Sequence, residues 1–483
     1  MTGPFPAGRL FSGFSAPARM ECDVYDLEVV TGEIPFDLNG AFYRVQPDPA
    51  WPAKLGQDIP LNGDGMVTMF RFGQGHVDFR SRYVRTEKFL AERAARKALF
   101  GAYRNPFTDD PSVQGKSGGT ANTNVVWHAG KLLVLKEDSH PIELDPETLE
   151  TKGPVNFGGK LSSPTFTAHP KIDPITGEMI AFGYEARGLA TPDIAFYVID
   201  STGQITREAY FQAPYASMVH DFGVTREHVI FPISPLCSDL EAMKLGKPHF
   251  AWDGRRECHV GILPRRGTAS DLRWFKGPAA FSSHTMNAWD EGSLVHYDTP
   301  VGNMVVFPFF PDAEGKPWSP AQAVPKLERW TMDLGQTGVS FERKTLSPRV
   351  VEFPRIDERF AMQAYSHGWA ACDDTSKDTA PTSLGGGLSL NAIAHFDHLK
   401  GCVNVWRSED GSAVQEPQFV PRSPSSPEGD GWLLVVVNRL VDMHSDLVIL
   451  DALRVAEGPI ACMRMPMRLR AGLHGTWVNA SEL

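Results

Sequence analysis

Four of the fifteen histidines stand in surroundings that could hold a metal ion. They are His169 in TFTAHPK, His220 in ASMVHDFG, His284 in FSSHTMNAW and His474 in LHGTW. Each lies among small and apolar residues, where a charged side chain would be costly, and each borders a strand-like run. Four neutral imidazoles without a cysteine suit Fe(II), Cu or Zn. Their wide, irregular separations fit a site on the axis of a closed barrel or propeller, with separate blades each supplying one ligand.

Three glutamates could support such a site by accepting hydrogen bonds from the outer ring nitrogens of ligating histidines. Glu137 follows an apolar strand in LLVLKED, Glu352 stands in RVVEFPRID and Glu416 stands in AVQEPQFVPR. An acid flanked by apolar residues is either buried and paired or exposed on an edge strand. Nothing in the sequence pattern forces the four histidines together, so structural or exposed histidines are the alternative.

The segments that must position these residues are short strands separated by turns. A β-propeller would protect the many sheet edges, although no internal repeat fixes the number of blades. Strand-like runs bounded by Gly, Pro, Asp and Ser are typical of all-β proteins, and the clearest lie at 124–137, 179–186, 194–211, 228–234, 303–310, 392–397 and 432–452.

One stretch breaks this texture. Residues 86–106 are rich in Ala, Leu, Glu, Lys and Arg, which predicts an amphipathic helix with a stop at Gly101. A second short helix is expected near 238–246, and 373–387 and 421–431 have the composition of surface loops. No linker separates independent domains. We therefore expect a single domain over 1–483, a β body with cap segments near 86–115 and 236–250.

Composition narrows the class of protein. The 483 residues are 42% apolar and 22% charged, as in ordinary soluble proteins, and the net charge of −11 argues against a nucleic-acid partner. The six cysteines form no CxxC pair and the first residues lack the apolar region of a signal peptide, which favours reduced thiols. The longest apolar runs are too short to span a bilayer. We expect a cytoplasmic protein without a transmembrane segment.

The four histidine contexts, with EFPRID, NGDGM at 62–66, TANTNV at 120–125 and the terminal HGTW, resemble the carotenoid cleavage oxygenase family from about residue 34 onward. This resemblance implies a seven-bladed β-propeller, a cap of helices and loops, and a non-haem Fe(II) on the propeller axis. It implies that the iron ligands are His169, His220, His284 and His474. It further implies outer-shell support from Glu137, Glu352 and Glu416, and places Thr123 close to the open side of the iron.

A narrower resemblance points to the bacterial lignostilbene dioxygenases, or stilbene cleavage oxygenases. It rests on KALFGAYRNPFTDDPSVQG at 97–115, LVLKEDS at 133–139, FPFFPD at 307–312 and FPRIDER at 353–359. It implies cleavage of a 4-hydroxystilbene by O₂ into two aromatic aldehydes, in the catabolism of lignin-derived aromatics. Tyr103 and Lys136 match the residues that contact the substrate's 4-hydroxyl. Leu61 replaces an aromatic residue that is common in that branch, so the resemblance does not determine the range of substrates. The resemblance also suggests a homodimer, although the sequence identifies no interface.

The chemistry of such a substrate gives Lys136 a specific role. A phenol with a pKa near 10 must ionise to push charge onto the alkene carbons, and a lysine ammonium beside the Tyr103 hydroxyl would stabilise the phenolate. Strand alternation sends Lys136 and Glu137 to opposite faces, so a bulge or twist at the strand end is required. The alternative for Lys136 is a surface strand lysine.

Three further phenylalanines and three rival functions complete the predictions. An apolar pocket for a flat two-ring ligand could be lined by Phe307, Phe309 and Phe310, or these rings could be propeller core.

One alternative function is that of a carotenoid or apocarotenoid oxygenase of the same family. Another is a non-enzymatic propeller used as a binding scaffold. A calcium-dependent propeller lactonase would prefer oxygen ligands, which the histidine motifs do not supply.

Overall fold

The fold was analysed in a computed structural model, which describes residues 4–8, 10–56, 58–374 and 390–483. Most of the predicted loop at 373–387 therefore lies outside the described residues. The chain divides into two compact units. The first unit comprises Met1–Val155 and His367–Leu483, and the second comprises Asn156–Ser366. The single-domain organisation with its two cap segments stays a prediction.

Strands dominate both units. The first part of the first unit contains β1 Cys22–Val24, β2 Glu28–Gly32, β3 Gly40–Pro47, β4 Gly65–Gly73, β5 His76–Tyr83, β6 Asn124–His128, β7 Lys131–Leu135, β8 Ile142–Leu144 and β9 Thr151–Pro154. The second unit contains β10 Lys171–Ile172, β11 Met179–Tyr184, β12 Asp193–Ile199, β13 Ile205–Gln212, β14 Gly223–Val224, β15 His228–Ile233, β16 Leu236–Ser238, β17 Phe250–Trp252, β18 Cys258–Pro264, β19 Arg273–Gly277, β20 Phe281–Ser282, β21 Asn287–Glu291, β22 Leu294–Gly302, β23 Lys326–Asp333 and β24 Glu342–Ile356. The remainder of the first unit contains β25 His367–Cys372, β26 Ala392–Asp397, β27 Cys402–Arg407, β28 Ser412–Val414, β29 Gln418–Pro421, β30 Gly431–Arg439, β31 His444–Asp451, β32 Pro459–Arg464 and β33 Gly475–Asn479.

Helices are few and short. The α-helices of the described residues are α1 Glu87–Ala95, α2 Leu240–Lys244 and α3 Pro320–Ala323. The 3-10 helices are Gly13–Ser15, Pro60–Asn62, Pro106–Thr108, Pro111–Val113, Ala269–Asp271, Glu358–Phe360 and Val455–Glu457. None of the helices in this part of the chain has the length and apolar character needed to cross a bilayer.

The sheets of the first unit bring the chain's two ends together. One sheet has the order β1-β5-β4-β3-β33, a second has β6-β7-β8-β9, and a third has β2-β32-β31-β30-β28 with β29 also on β30. Strands β25, β26 and β27 pair in sequence. The C-terminal β33 pairs antiparallel with β3, with Gly40 opposite Asn479 and Arg44 opposite Gly475. This ladder fixes residues that would otherwise fray.

The second unit is built from antiparallel sheets of consecutive strands. Their orders are β10-β11-β12-β13, β14-β15-β18-β19, β16-β17 and β20-β22-β23-β24, with β21 also on β22. The inner strand β11 is buried at every position, whereas the outer strand β13 has both buried and exposed positions. This is the pattern expected when inner strands are covered on both faces and outer strands meet solvent.

Alternation along the strands places neighbouring side chains in different apolar cores. In β3, Phe42 packs in one core and Tyr43 in another, and in β4 Phe70 and Met69 divide in the same way. Successive strand residues point to opposite faces, so both faces of this sheet are buried. The second unit has a separate core around Trp330. The predicted all-β class therefore follows directly from these strand patterns.

The helix predicted to continue to Gly101 ends earlier, at Ala95. Arg96 adopts a left-handed backbone conformation with φ of 55°, which terminates the helix. The Glu92 carboxylate then accepts hydrogen bonds from the backbone amides of residues 99 and 100. These bonds hold the following segment in a turn. The residues after Arg96 therefore do not continue the helix, although their types favour one, because of a capping contact that the composition does not reveal.

The predicted strand at 303–310 is also wrong in detail. Strand β22 ends at Gly302, and the residues that follow form turns and bends. Pro308 interrupts this segment and Pro311 follows it, and proline cannot donate to a strand ladder. The other strand-like runs identified in the sequence contain strands in the structure. The short helix expected near 238–246 corresponds to α2.

Helix α1 carries a buried charge cluster. The Lys88 ammonium donates to Asp64 at 2.9 Å and to Glu92 at 3.0 Å, and all three side chains are buried. The Asp58 carboxylate accepts a 2.7 Å hydrogen bond from the Asn62 amide. Burial raises the pKa of Asp58 to about 6. The cluster ties the helix to the segment that precedes β4.

Candidate metal centre

Each of the four histidines lies just before a strand at the edge of its sheet. His169 precedes β10, His220 precedes β14, His284 lies between β20 and β21, and His474 directly precedes β33. One ring nitrogen from each of His169, His220 and His284, the three that lie in the second unit, lies within 4.8 Å of the others. His169, His284 and His474 are buried and His220 is half-buried. The wide sequence separation of the three residues in the second unit is therefore no obstacle to a common site.

The second unit supplies three of these imidazoles. The Nε2 atoms of His220 and His284 are 3.1 Å apart. The ring of His169 lies edge-on to both, with centroid distances of 4.7 Å to His220 and 5.3 Å to His284. All three residues lie in irregular segments between strands, so their positions depend on bonds between those segments.

Glu352, in β24, supports His284 from behind. Its Oε2 lies 2.6 Å from Nδ1 of His284, and the carboxylate also accepts from the backbone amide of Phe353 at 2.7 Å. Burial raises the pKa of the Glu352 carboxyl, but the His284 imidazole and the hydrogen bonds from Ser283 and the Phe353 amide together outweigh burial, and the pKa lies below its ordinary value. A carboxylate at Nδ1 places the ring proton there and leaves Nε2 as the ligand atom.

His474 in the first unit has the same kind of support. Its Nδ1 lies 2.8 Å from Oε1 of Glu416, and the other carboxylate oxygen accepts from the backbone amide of Gly475 at 3.1 Å. The His474 backbone amide donates to the Thr123 carbonyl at 3.2 Å. Thr123 and Glu137 are both buried in this unit.

The donor set fits a soft-to-borderline divalent metal ion. The ring nitrogens of His284 and His474 that face away from their carboxylates are acceptors, since the proton is held on the carboxylate side. His220 and His284 bring their Nε2 atoms to 3.1 Å, a separation that a shared cation or proton must stabilise. Imidazole donors without carboxylate ligands suit Fe(II), Cu or Zn better than Mg or Ca.

Lys136 and Tyr103 are paired in the first unit. The Lys136 ammonium donates to the Tyr103 hydroxyl and to the Leu61 carbonyl, both at 3.3 Å, and lies 4.6 Å from the Tyr103 ring centre. Both residues are buried, which excludes the surface-lysine interpretation. Strand β7 ends at Leu135, so Lys136 and Glu137 lie beyond it and strand alternation does not apply to them.

The ionisation of this pair favours a cationic lysine. Burial lowers the pKa of Lys136, but Tyr103, Asp138 and Glu137 outweigh burial and the pKa lies above its ordinary value. Burial raises the pKa of the Tyr103 hydroxyl. The pair therefore presents an ammonium and a neutral hydroxyl at neutral pH.

Asn122 is a residue that the sequence analysis did not single out. Its side-chain amide donates to the carbonyls of Leu61 and Gly63 at 2.9 and 2.6 Å, and its oxygen accepts from the Thr123 hydroxyl at 3.0 Å. It thus holds the carbonyl that accepts from Lys136. The only signal in the sequence is its place in TANTNV, beside Thr123.

The three phenylalanines lie in the turn that follows β22. The Phe307 ring lies edge-on to His220 at 6.0 Å and stacks on Phe309 at 5.6 Å. Phe310 is buried and packs against Phe250 at 6.2 Å. Phe307 thus contacts a candidate ligand, whereas Phe310 packs within the second unit.

Comparison with known proteins agrees with this geometry. Residues 15–479 match the family described as RPE65, retinal pigment epithelial membrane protein. The chain is 48% identical to lignostilbene-alpha,beta-dioxygenase isozyme III of Sphingomonas paucimobilis over 99% of both chains. It is 46% identical to isoeugenol monooxygenase of Pseudomonas nitroreducens over 96% of this chain and 97% of that one. The crystal structure of Pseudomonas brassicacearum lignostilbene dioxygenase superposes with a TM-score of 0.96 at 43% identity, covering 99% of this chain and 100% of that one.

These matches define the class of protein first: the chain is an oxygenase-type enzyme with an all-β propeller fold. It belongs to the RPE65 family, the family of carotenoid cleavage oxygenases that the histidine motifs indicated. The predicted family and fold class are confirmed. The number of seven blades stays a prediction.

Proposed function

We propose that this enzyme is a non-haem iron(II) dioxygenase that cleaves the central alkene of 4-hydroxystilbenes with O₂, giving two aromatic aldehydes. The observation that carries the substrate class is the buried Lys136–Tyr103 pair, with the ammonium 3.3 Å from the hydroxyl. A buried ammonium stabilises an anionic oxygen beside it by a charge-assisted hydrogen bond, and a phenolate oxygen is such a group. The lignostilbene dioxygenase relative supports the same assignment.

The metal ligands in this proposal are His169, His220, His284 and His474. Glu352 and Glu416 would hold His284 and His474 in the orientation that presents Nε2 to the metal. Glu137, also buried, is proposed to support a ligand in the same way. When bound, Fe(II) supplies the activation of O₂ beside the alkene.

The residues of the first unit would act on the substrate itself. Lys136 would bind the phenolate oxygen by a charge-assisted hydrogen bond, and Tyr103 would donate a second one. Ionisation of the phenol delocalises negative charge through the ring onto the alkene carbons. The alkene thereby becomes electron-rich, as attack on O₂ requires. Thr123 is proposed to lie near the open coordination side, and Phe307 and Phe309 to cover the aromatic rings.

A second candidate substrate class is a one-ring 4-hydroxyphenyl alkene. The isoeugenol monooxygenase relative is 46% identical, close to the value for the lignostilbene enzyme. Leu61 contributes no ring beside the Lys136–Tyr103 pair, so a stacking contact to a substrate ring is missing there. Isoeugenol shares the para-hydroxyl and the alkene, so Lys136 would act on it in the same way.

A substrate panel tests the proposal. Fe(II)-loaded enzyme is incubated in air with 4-hydroxystilbene, isoeugenol, 4-methoxystilbene and an apocarotenal, and the aldehydes are resolved by chromatography. We expect fast cleavage of 4-hydroxystilbene, little of the methoxy analogue and none of the apocarotenal. Preference for isoeugenol would shift the assignment to one-ring alkenes, and cleavage of the apocarotenal alone would overturn the phenolate mechanism. No product from any of the substrates, with no iron retained, would favour the binding scaffold.

Location and assembly stay predictions. A cytoplasmic location was expected from the composition, and a homodimer from the resemblance to lignostilbene dioxygenases. Fractionation of the native source and light scattering of the purified enzyme would measure them.

A further inference from the structure

Asp221, a residue outside the predicted site, connects the three histidine segments of the second unit. It directly follows His220 in sequence and is 4% exposed. Its carboxylate accepts hydrogen bonds from groups on both of the other histidine segments as well as from its own. The contacts therefore join parts of the chain that are fifty and sixty-four residues apart.

Each bond of the carboxylate reaches a segment that carries a candidate ligand. Oδ2 accepts from the backbone amide of Thr285, the residue after His284, at 2.7 Å. Oδ1 accepts from the Lys171 ammonium, two residues after His169, at 2.7 Å. Oδ1 also accepts from the backbone amide of Phe222 at 2.7 Å. One side chain thus fixes the spacing of all three segments.

A further contact reinforces this connection. The Thr285 hydroxyl donates to the Phe222 carbonyl at 2.9 Å, so the two segments are joined twice. The histidines themselves precede their strands and gain no ladder hydrogen bonds of their own. Hydrogen bonds to the Asp221 carboxylate, and not those of a strand ladder, therefore set the relative positions of the three histidines.

We propose that Asp221 is a positioning residue of the metal centre, whose carboxylate sets the geometry of His169, His220 and His284 toward the ion. The inference rests on the proposed function, because it assumes that these histidines bind a metal. Asp221 touches no reacting atom, so its effect must pass through the ligands. Outer contacts of this kind typically change metal affinity by about 10- to 100-fold.

The test is a Co(II) titration of metal-free enzyme, followed by visible absorption. Asp221→Asn keeps the side-chain volume but loses the charge facing Lys171 and turns an amide N–H₂ toward one of the donors. We expect its Co(II) affinity to fall by about 10- to 100-fold, with a changed d–d spectrum. Lys171→Met, which leaves both backbone amide bonds intact, should cause a smaller loss in the same direction.

The matched control is Asp173→Asn in the same unit. Asp173 is also buried, pairs with Arg265 at 2.7 Å and accepts from two backbone amides, but its partners carry no candidate ligand. Its Co(II) affinity and spectrum should match the wild type. Equal losses in both aspartate variants, or a wild-type affinity and spectrum in Asp221→Asn, would overturn the positioning role.

A failure of the proposed function gives a different result. If the wild-type enzyme binds no Co(II), the metal centre itself is refuted, whatever the variants do. If Asp221→Asn does not fold, Lys171→Met decides the question, and an unchanged Co(II) affinity in that variant would refute the inference.

Discussion

Replacement of Lys136 by methionine is the sharpest perturbation of the proposed chemistry. The side chains have similar length, so the change removes the ammonium and its hydrogen bonds to Tyr103 and the Leu61 carbonyl with little loss of volume. The substrate phenol would then meet a neutral site. The phenolate, and with it the electron-rich alkene, would lose its principal stabilisation.

The magnitude follows from the bond that is lost. A hydrogen bond to a charged group is worth about 1.5–3 kcal/mol, and about 1.4 kcal/mol corresponds to a tenfold change. We therefore expect kcat/KM for 4-hydroxystilbene to fall about 10- to 150-fold. The apparent pKa below which kcat/KM falls on the acid side of the pH profile should rise by about one to two units. Tyr103→Phe removes a neutral hydroxyl worth about 1 kcal/mol, so its loss should be about fivefold.

The assay compares 4-hydroxystilbene with 4-methoxystilbene across pH. The methoxy compound has no proton to lose, so its slow turnover should be nearly equal in wild type and Lys136→Met. The control is Lys131→Met on β7, because Lys131 is exposed and paired with Glu143 at 2.6 Å, away from the proposed substrate contacts.

The reasoning is refuted if Lys136→Met keeps the wild-type kcat/KM and the wild-type apparent pKa on the acid side with 4-hydroxystilbene. It is also refuted if both substrates lose activity equally, since that result indicates a general defect. Equal iron content in the two proteins must accompany either comparison.

Three further predictions address the metal, the fold and pH. Glu352→Gln should weaken Fe(II) affinity about 10- to 100-fold, because the carboxylate 2.6 Å from its histidine is replaced by a neutral amide; competition with a chelator measures this. Lys88→Met leaves two buried carboxylates without their cation and should lower the free energy of unfolding by about 3–5 kcal/mol in urea titrations at neutral pH. Asp58 has a folded pKa of about 6, above its ordinary value of 3.8, so the unfolded chain loses this proton first and stability falls as pH rises from 3.8 to about 6. Asp58→Asn should remove that part of the pH dependence and raise stability at pH 7.5, measured by urea unfolding between pH 4 and 7.5.

The sequence predicted the elements better than their ends. Alternating and continuous apolar runs indicated the strands, because side-chain burial follows the strand period. The helix stop was wrong because Arg96 and the Glu92 carboxylate end α1 through local hydrogen bonds. The run at 303–310 has the apolar composition of a strand, but Pro308 cannot donate to a strand ladder.

The sequence likewise predicted some residues of the candidate site and missed others. The histidines and the supporting glutamates lie in recognisable sequence motifs, and the structure places Glu352 against His284 and Glu416 against His474. Asp221 was not predictable, because its role depends on hydrogen bonds to residues fifty and sixty-four positions away. Nothing in the sequence distinguishes this aspartate from any other that follows a histidine, and only the fold reveals which groups donate hydrogen bonds to it.

The most direct measurement is the stoichiometry of a single reaction. Fe(II)-loaded wild-type enzyme is given 4-hydroxystilbene under ¹⁸O₂, and O₂ uptake, both aldehydes and their label are quantified. We predict one O₂ consumed per alkene, two aldehydes in equal amounts, and label in each. Iron-loaded enzyme that leaves the alkene intact, or consumes O₂ without aldehydes, would contradict the proposed dioxygenase function.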